Sequence, residues 1–366
     1  MRYFPPQGVG HPEIRCFPIV ISRFSFYIVL RYPMRAYLIK RLLLVIPTLI
    51  GISLIVFFIS QLIPGSPISM QIYQLSQAGG PATDTQQLVE ELRRQYDFDK
   101  PISVRYLKWL KGMFTLDFGT SIKDRKPVWD KIAERIPVSL QISFISLFLA
   151  YLIAVPIGVF SSVKQGTWMD NGITVILFIL YSLPSFWVAT LLMMFFCGGE
   201  FWDLFPIAGL SSRGAEDLPF WSWLGDRVWH LVLPVACMTY TSLAYLSRYA
   251  KTGMLEVIRQ DYITTARAKG LSEKTVIFKH AFRNSLIPII TLAALLVPAM
   301  LGGSVIIETI FNLPGMGQLS FEAILSRDYP VIMGITTCTA VLTLAGLLLS
   351  DLLYVLIDPR ISFESR

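Results

Sequence analysis

Six stretches without a charged side chain constrain this 366-residue sequence more than any other feature: 42–63, 136–163, 171–199, 228–247, 284–307 and 329–350. Each reaches the roughly 20 residues that a helix needs to cross about 30 Å of hydrocarbon. Hydrophobic residues make up 54% of the chain, well above the share of a soluble domain. The expected fold class is therefore an all-α integral membrane protein with six transmembrane helices. An even number of crossings puts both termini on one side.

The net charge of +7 is spread in a way that fits a membrane rather than nucleic acid. Arg35, Lys40 and Arg41 precede the first window, and eight basic residues lie between Arg248 and Arg283, whereas 199–227 holds two basic and five acidic residues. The positive-inside rule puts the termini and the loop 250–285 in the cytoplasm. Residues 64–135 carry eleven basic residues and fall outside under this orientation, but nine acidic residues balance them and long loops translocate largely regardless of charge.

Along the chain, residues 1–33 differ from the rest. They hold five prolines, and their best apolar run, 17–30, is interrupted by Arg23 and too short to span. Met34 opens M-R-A-Y-L-I-K-R-L-L-L-V-I-P, so 1–33 is expected to be a non-native or disordered extension and 34–63 the first transmembrane helix. Residues 64–135 form an external helical domain between the first two spans, with amphipathic helices at 85–96 and 102–114, the second placing Tyr106, Trp109 and Leu110 on one side. Residues 136–366 form a five-helix core that includes the cytoplasmic loop 250–285. Cys16, Cys197, Cys237 and Cys338 are far apart, and His11, His230 and His280 show no ligand spacing, so no metal or cofactor is expected in this chain.

The loop carries the most local structure. Tyr262, Ile263 and Ala266 recur at three- to four-residue spacing, giving a short helix one apolar edge, and Arg267 and Lys269 sit near its end, where cations suit the helix dipole. Gly270 supplies the stop and Ser272 an N-cap for a second helix. The expected unit is helix, glycine turn, helix.

From Thr265 to Asn284 the residues read T-A-R-A-K-G-L-S-E-K-x-V-x-x-K-H-x-x-R-N. This resembles the cytoplasmic loop of the dipeptide/oligopeptide class of ABC-importer permeases. Thr264 and Thr265 stand where the general importer consensus has Glu and Ala, a departure usual in the peptide branch. L-R-R-Q-Y-D-F-D-K-P-I-x-x-R-Y-L-K-W-L and D-F-G-T-S in 92–121, G-S-V-I-I-E-T-I-F-N-L-P-G-M-G-Q-L in 303–319, and the ending S-D-L-L-Y-V-L-I-D-P-R-I-S-F-E-S-R extend the likeness over nearly all of 34–366. The external loop 198–229, with G-G-E-F-W-D-L-F-P-I-x-G-L, D-L-P-F-W and V-W-H-L-x-L-P-V, together with that ending resembles the Yej-type branch closely, which is associated with peptide and microcin C uptake.

The resemblance implies a type I ABC importer permease fold in the bacterial inner membrane. It implies as partners a second permease, ABC ATPases as two chains or one fused chain that bind the ATP, a periplasmic substrate-binding protein and membrane lipid, with no nucleic acid. It also implies that Tyr262, Ile263, Thr264, Thr265, Ala266, Arg267, Ala268, Lys269 and Gly270 form the ATPase-coupling segment. Tyr262, Ile263 and Ala266 would pack in the ATPase groove and Arg267 and Lys269 would meet acids at its edge. Two carboxylates near membrane boundaries are further pathway or gate candidates. Glu308 reads either as a gate or partner for a cationic substrate or as a helix-end group in water, and Asp351 reads as the partner of Arg248 or of a backbone amide.

Rival functions find less support. No G-x-x-x-x-G-K-[ST], H-E-x-x-H or G-x-S-x-G run occurs, so neither an ATPase nor a hydrolase is indicated. A secondary, ion-coupled transporter remains the alternative, but it calls for inverted repeats and a charged midplane site, and the six windows hold no charge. Within the importer class, nickel is the alternative cargo.

Overall fold

The computed structural model describes residues 33–62, 90, 94, 99–198, 201–296, 300 and 302–357. Residues 1–32 of the expected N-terminal extension, most of the helix at 85–96 and the last nine residues lie outside the described residues.

Helix α1, Pro33–Leu62, is about 45 Å long at 1.5 Å per residue, more than a bilayer core needs. Leu42, Leu43, Leu44, Ile55 and Ile59 stay exposed on it, an aliphatic surface suited to lipid, while Ser53, Phe57 and Ser60 are buried. Helix α2, Ile102–Thr115, leans on that buried face as its apolar edge predicts. The Phe57 ring lies 5.4 Å from Tyr106 and 6.2 Å from Trp109, and the Ser53 and Tyr106 hydroxyls are 3.0 Å apart.

Helix α3, Val128–Val163, starts two turns before its uncharged window, because Lys131, Glu134 and Arg135 end the window without ending the helix. The third window proves discontinuous. Helices α4, Trp168–Ser182, and α5, Ser185–Phe196, meet at a bend of 91° where one straight span was expected. Pro184 causes it: a proline lacks the N–H that would continue the ladder and drives the preceding residue extended, and Leu183 has ψ 124°. The Tyr240 hydroxyl donates to the Leu183 carbonyl at 3.1 Å, so the freed backbone has a partner.

Helix α6, Phe220–Ile258, is the longest and packs along α3. At Gly158 a side chain would lie 2.5 Å from the Ser247 carbonyl and 2.6 Å from the Ala250 Cβ, so the absence of a Cβ sets how closely the two helices approach. After α7, Asp261–Ala268, and α8, Glu273–Thr275, a π-helical turn at Val276–Ala281 leads into α9, Phe282–Leu296. The window 284–307 is therefore not one helix: α9 is described as far as Leu296, and α10, Val305–Ile310, begins separately after Gly303 at φ +65°. Helices α11, Met316–Ser326, and α12, Tyr329–Ile357, complete the described chain.

Among the described residues, Ile39–Gln61, Val128–Val163 and Tyr329–Leu352 suit a membrane crossing by length and apolar composition, and the bent α4–α5 pair passes the same test only when its two helices are taken together. The chain is all-α apart from an isolated antiparallel bridge between Thr120 and Pro127 among the described residues.

Candidate functional site

The loop between α6 and α9 folds as its spacing predicts. Helix α7 ends in Gly270, whose φ of +77° is a left-handed conformation that glycine adopts without strain. The Ser272 side chain caps α8 by accepting from the Thr275 N–H, and the Arg267 guanidinium reaches back to Glu273 at 2.8 Å. Arg267 therefore has one acidic partner within the chain while its side chain stays exposed.

Two of the three residues of the apolar edge of α7 face the other way from the expectation, while Tyr262 stays exposed. Ile263 is fully buried and Ala266 nearly so, packed with Val159, Met254, Val276 and Ala281. Those two residues hold α7 onto α3, α6 and the π turn and are not offered to another protein. Spacing revealed an apolar edge, but not which surface covers it. The outward face comprises Asp261, Tyr262, Thr264, Thr265, Arg267, Ala268 and Lys269. The Tyr262 hydroxyl accepts from the Asn284 side-chain amide at 2.9 Å, joining α7 directly to α9.

One buried cluster beside this loop was missed from the sequence. Asp170, in the first turn of α4, is 3% exposed. Its carboxylate accepts from Lys251 Nζ of α6 at 2.5 Å, from the Gly166 N–H at 3.0 Å and from the Ser161 hydroxyl of α3. Thr167 caps the same helix, accepting from the Asp170 N–H. The T-x-x-D order of a helix start was the available signal, though it does not reveal Lys251, 81 residues away.

The reading of Glu308 as a helix-end group in water does not hold. Glu308 is 2% exposed, enclosed by its own chain rather than by water. Oε1 accepts from the Ser139 hydroxyl at 2.8 Å and the Ser304 N–H at 3.1 Å, and Oε2 accepts from the Gln318 N–H at 2.9 Å. Ser139 Oγ accepts in turn from the Met316 N–H at 2.7 Å. The carboxylate thus pins α10 and the N-terminus of α11 to α3, where a helix dipole favours negative charge. A Cβ on Gly303 would come within 2.3 Å of Oε1 and one on Gly315 within 2.4 Å of Oε2. Asp351 pairs with Arg41 of α1 and not with Arg248. Among the described residues no group of three or more His, Cys, Asp or Glu could hold a metal ion.

Residues 154–363 match the family of binding-protein-dependent transport system inner membrane components, and residues 34–143 match the model of that family's N-terminal part. The chain belongs to this transport family. Its relatives include the oligopeptide transport system permease protein AppB of Bacillus subtilis, 41% identical over 332 residues that cover 90% of this chain and all of that one. The inner membrane ABC transporter permease protein YejB of Escherichia coli O157:H7 is 38% identical, covering 91% of this chain and all of that protein. The dipeptide transport system permease protein DppB of Escherichia coli K12 is 35% identical, covering 90% and 99%. This permease is accordingly a multi-pass inner-membrane component of the dipeptide/oligopeptide class, as its motifs imply.

Proposed function

We propose that this chain is one of two permease subunits of an ATP-driven importer that carries peptides or peptide-like compounds, microcin C type cargo among them, into the cell. The observation that carries the reading is the outward face of α7, an ordered, polar and exposed helix held rigidly on the bundle by Ile263 and Ala266. The peptide cargo is supported by the names of the relatives.

In this reading six helices in a type I arrangement cross the membrane, with both termini and α7 in the cytoplasm. The windows 228–247 and 284–307 supply crossings within α6 and along α9. A second permease forms the other half of the path, a periplasmic binding protein delivers the cargo, and the ATPase, as two chains or one fused chain, binds the ATP. Closure of the ATPases pushes α7. Because α7 is packed against α3, α6 and the π turn, the bundle shifts as a rigid body between inward and outward access.

Gly270→Val tests the transmission. Nothing lies within 4 Å of the position where its Cβ would stand, but φ +77° disfavours a β-branched residue by about 1–2 kcal/mol, so the turn after α7 reorganises while the bundle stays folded. The expected result in proteoliposomes is substrate-stimulated ATP hydrolysis severed from uptake. Full coupling in the variant would count against the role given to α7.

A further inference from the structure

Helix α6 presents a second exposed face, different in kind from that of α1. Half-buried Thr241 and exposed Tyr245, Arg248, Tyr249 and Thr252 fall at i, i+4, i+7, i+8 and i+11, which is one side of a helix. The opposite side, Leu246, Ser247, Ala250, Gly253 and Met254, is buried. Lipid-facing α1 shows leucine and isoleucine, whereas this stripe holds no aliphatic residue. It begins well inside the uncharged window 228–247, about 20 Å along the helix from Val228. An interfacial belt of tyrosine and arginine stays at headgroup level. Thr241 and Tyr245 lie inside the window and Arg248, Tyr249 and Thr252 just beyond it, so the stripe runs from the hydrocarbon to the cytoplasmic boundary, and a cation unpaired among the described residues at that end is better placed against water or a polar solute than against lipid.

Arg248 makes no hydrogen bond or ion pair among the described residues, unlike Lys251 one turn further on, which is committed to Asp170. Tyr245 and Tyr249 are 45% and 46% exposed with their rings 4.9 Å apart, and the i, i+3, i+4 spacing puts Arg248 on the same side of the helix. A guanidinium on the same side of the helix as two amphipathic rings suits a carboxylate, which it binds through paired hydrogen bonds, while the tyrosines offer apolar faces to a chain of varied side chains. We propose that this stripe lines the cytoplasmic half of the translocation path and that Arg248 receives the C-terminal carboxylate of the peptide in transit. The inference rests on the peptide-import reading and deepens it.

The test uses the complete transporter in proteoliposomes with one peptide supplied as the free acid and as the C-terminal amide. The same binding protein serves wild type and Arg248→Gln, so its own preference cancels when the two permeases are compared. The expected result is about a tenfold loss of free-acid uptake in Arg248→Gln, the size of one charge-assisted pairing, with amide uptake unchanged and partial rescue by Arg248→Lys. Equal loss for both peptides means a structural role for Arg248 and overturns the proposal, as does no loss for either. A second readout attaches a water-soluble thiol reagent to Thr252→Cys. Reaction that is slowed by transported peptide supports the assignment. Quenching by lipid-borne nitroxide, or disulfide capture by the second permease, places the stripe against lipid or protein instead and overturns it. If wild type imports neither peptide form, the peptide-import reading itself fails; if it imports both and the variant matches it, only the assignment of Arg248 fails.

Discussion

Glu308→Ala is expected to destabilise the solubilised permease by on the order of 4 kcal/mol, a large effect for one side chain. The substitution leaves the Ser304 and Gln318 N–H groups and the Ser139 hydroxyl without their acceptor in an enclosed site, and it opens a cavity between α3, α10 and α11. Glu308→Gln keeps the volume and one acceptor and should cost less than half as much. Gly317→Ala should be as harmful as the alanine at Glu308, since its Cβ would lie 2.5 Å from the Val305 nitrogen. Thermal unfolding in detergent ranks the three. A Glu308→Ala protein with an unchanged midpoint and lost uptake would instead make this carboxylate a pathway group.

The second large effect concerns Asp170 and Lys251. Removing one partner of a buried pair strands the other, at about 3–5 kcal/mol, whereas removing both with apolar replacements is far milder. Asp170→Ala also strands the Gly166 N–H and the Ser161 hydroxyl, so it should exceed Lys251→Met in cost. The double variant Asp170→Ala/Lys251→Met should be more stable than the Asp170→Ala single. A double-mutant cycle measures this coupling, and a double variant whose loss equals the sum of the singles would show that the two side chains do not act as a pair. Because the cluster fastens the α3–α4 turn to α6 just before the coupling loop, the Asp170→Ala variant should also hydrolyse ATP with reduced uptake.

The parts of this protein that were legible in the sequence are those set by local chemistry. The membrane class followed from uncharged windows, and α2, α7, the Gly270 turn and the Ser272 cap followed from periodicity, glycine and serine at defined places. Windows without charge did not give helix ends: α3 and α6 run past theirs because a helix that leaves the hydrocarbon can carry lysine, arginine and glutamate. Nor did they reveal the 91° bend, although Pro184 was visible, since a proline can also be absorbed within a continuous helix, as Pro156 is in α3.

Long-range pairing was the other blind spot. Glu308 with Ser139, Asp170 with Lys251 and Asp351 with Arg41 join residues remote in the chain, and burial decided the first two. The direction of Ile263 and Ala266 failed for the same reason: an apolar edge specifies that something covers it, and here the permease covers it with its own α3, α6 and π turn.

The most direct test of the central claim is capture of partners by the detergent-solubilised permease, wild type beside Thr264→Glu/Thr265→Glu. Both substitutions lie on the outward face of α7 and leave buried Ile263 and Ala266 untouched. The account predicts that wild type brings down an ABC ATPase and a second permease, and that the variant keeps the second permease and loses the ATPase. An ATPase retained by the variant at wild-type yield, or a wild-type protein that comes down alone under conditions that preserve a control importer, would contradict it.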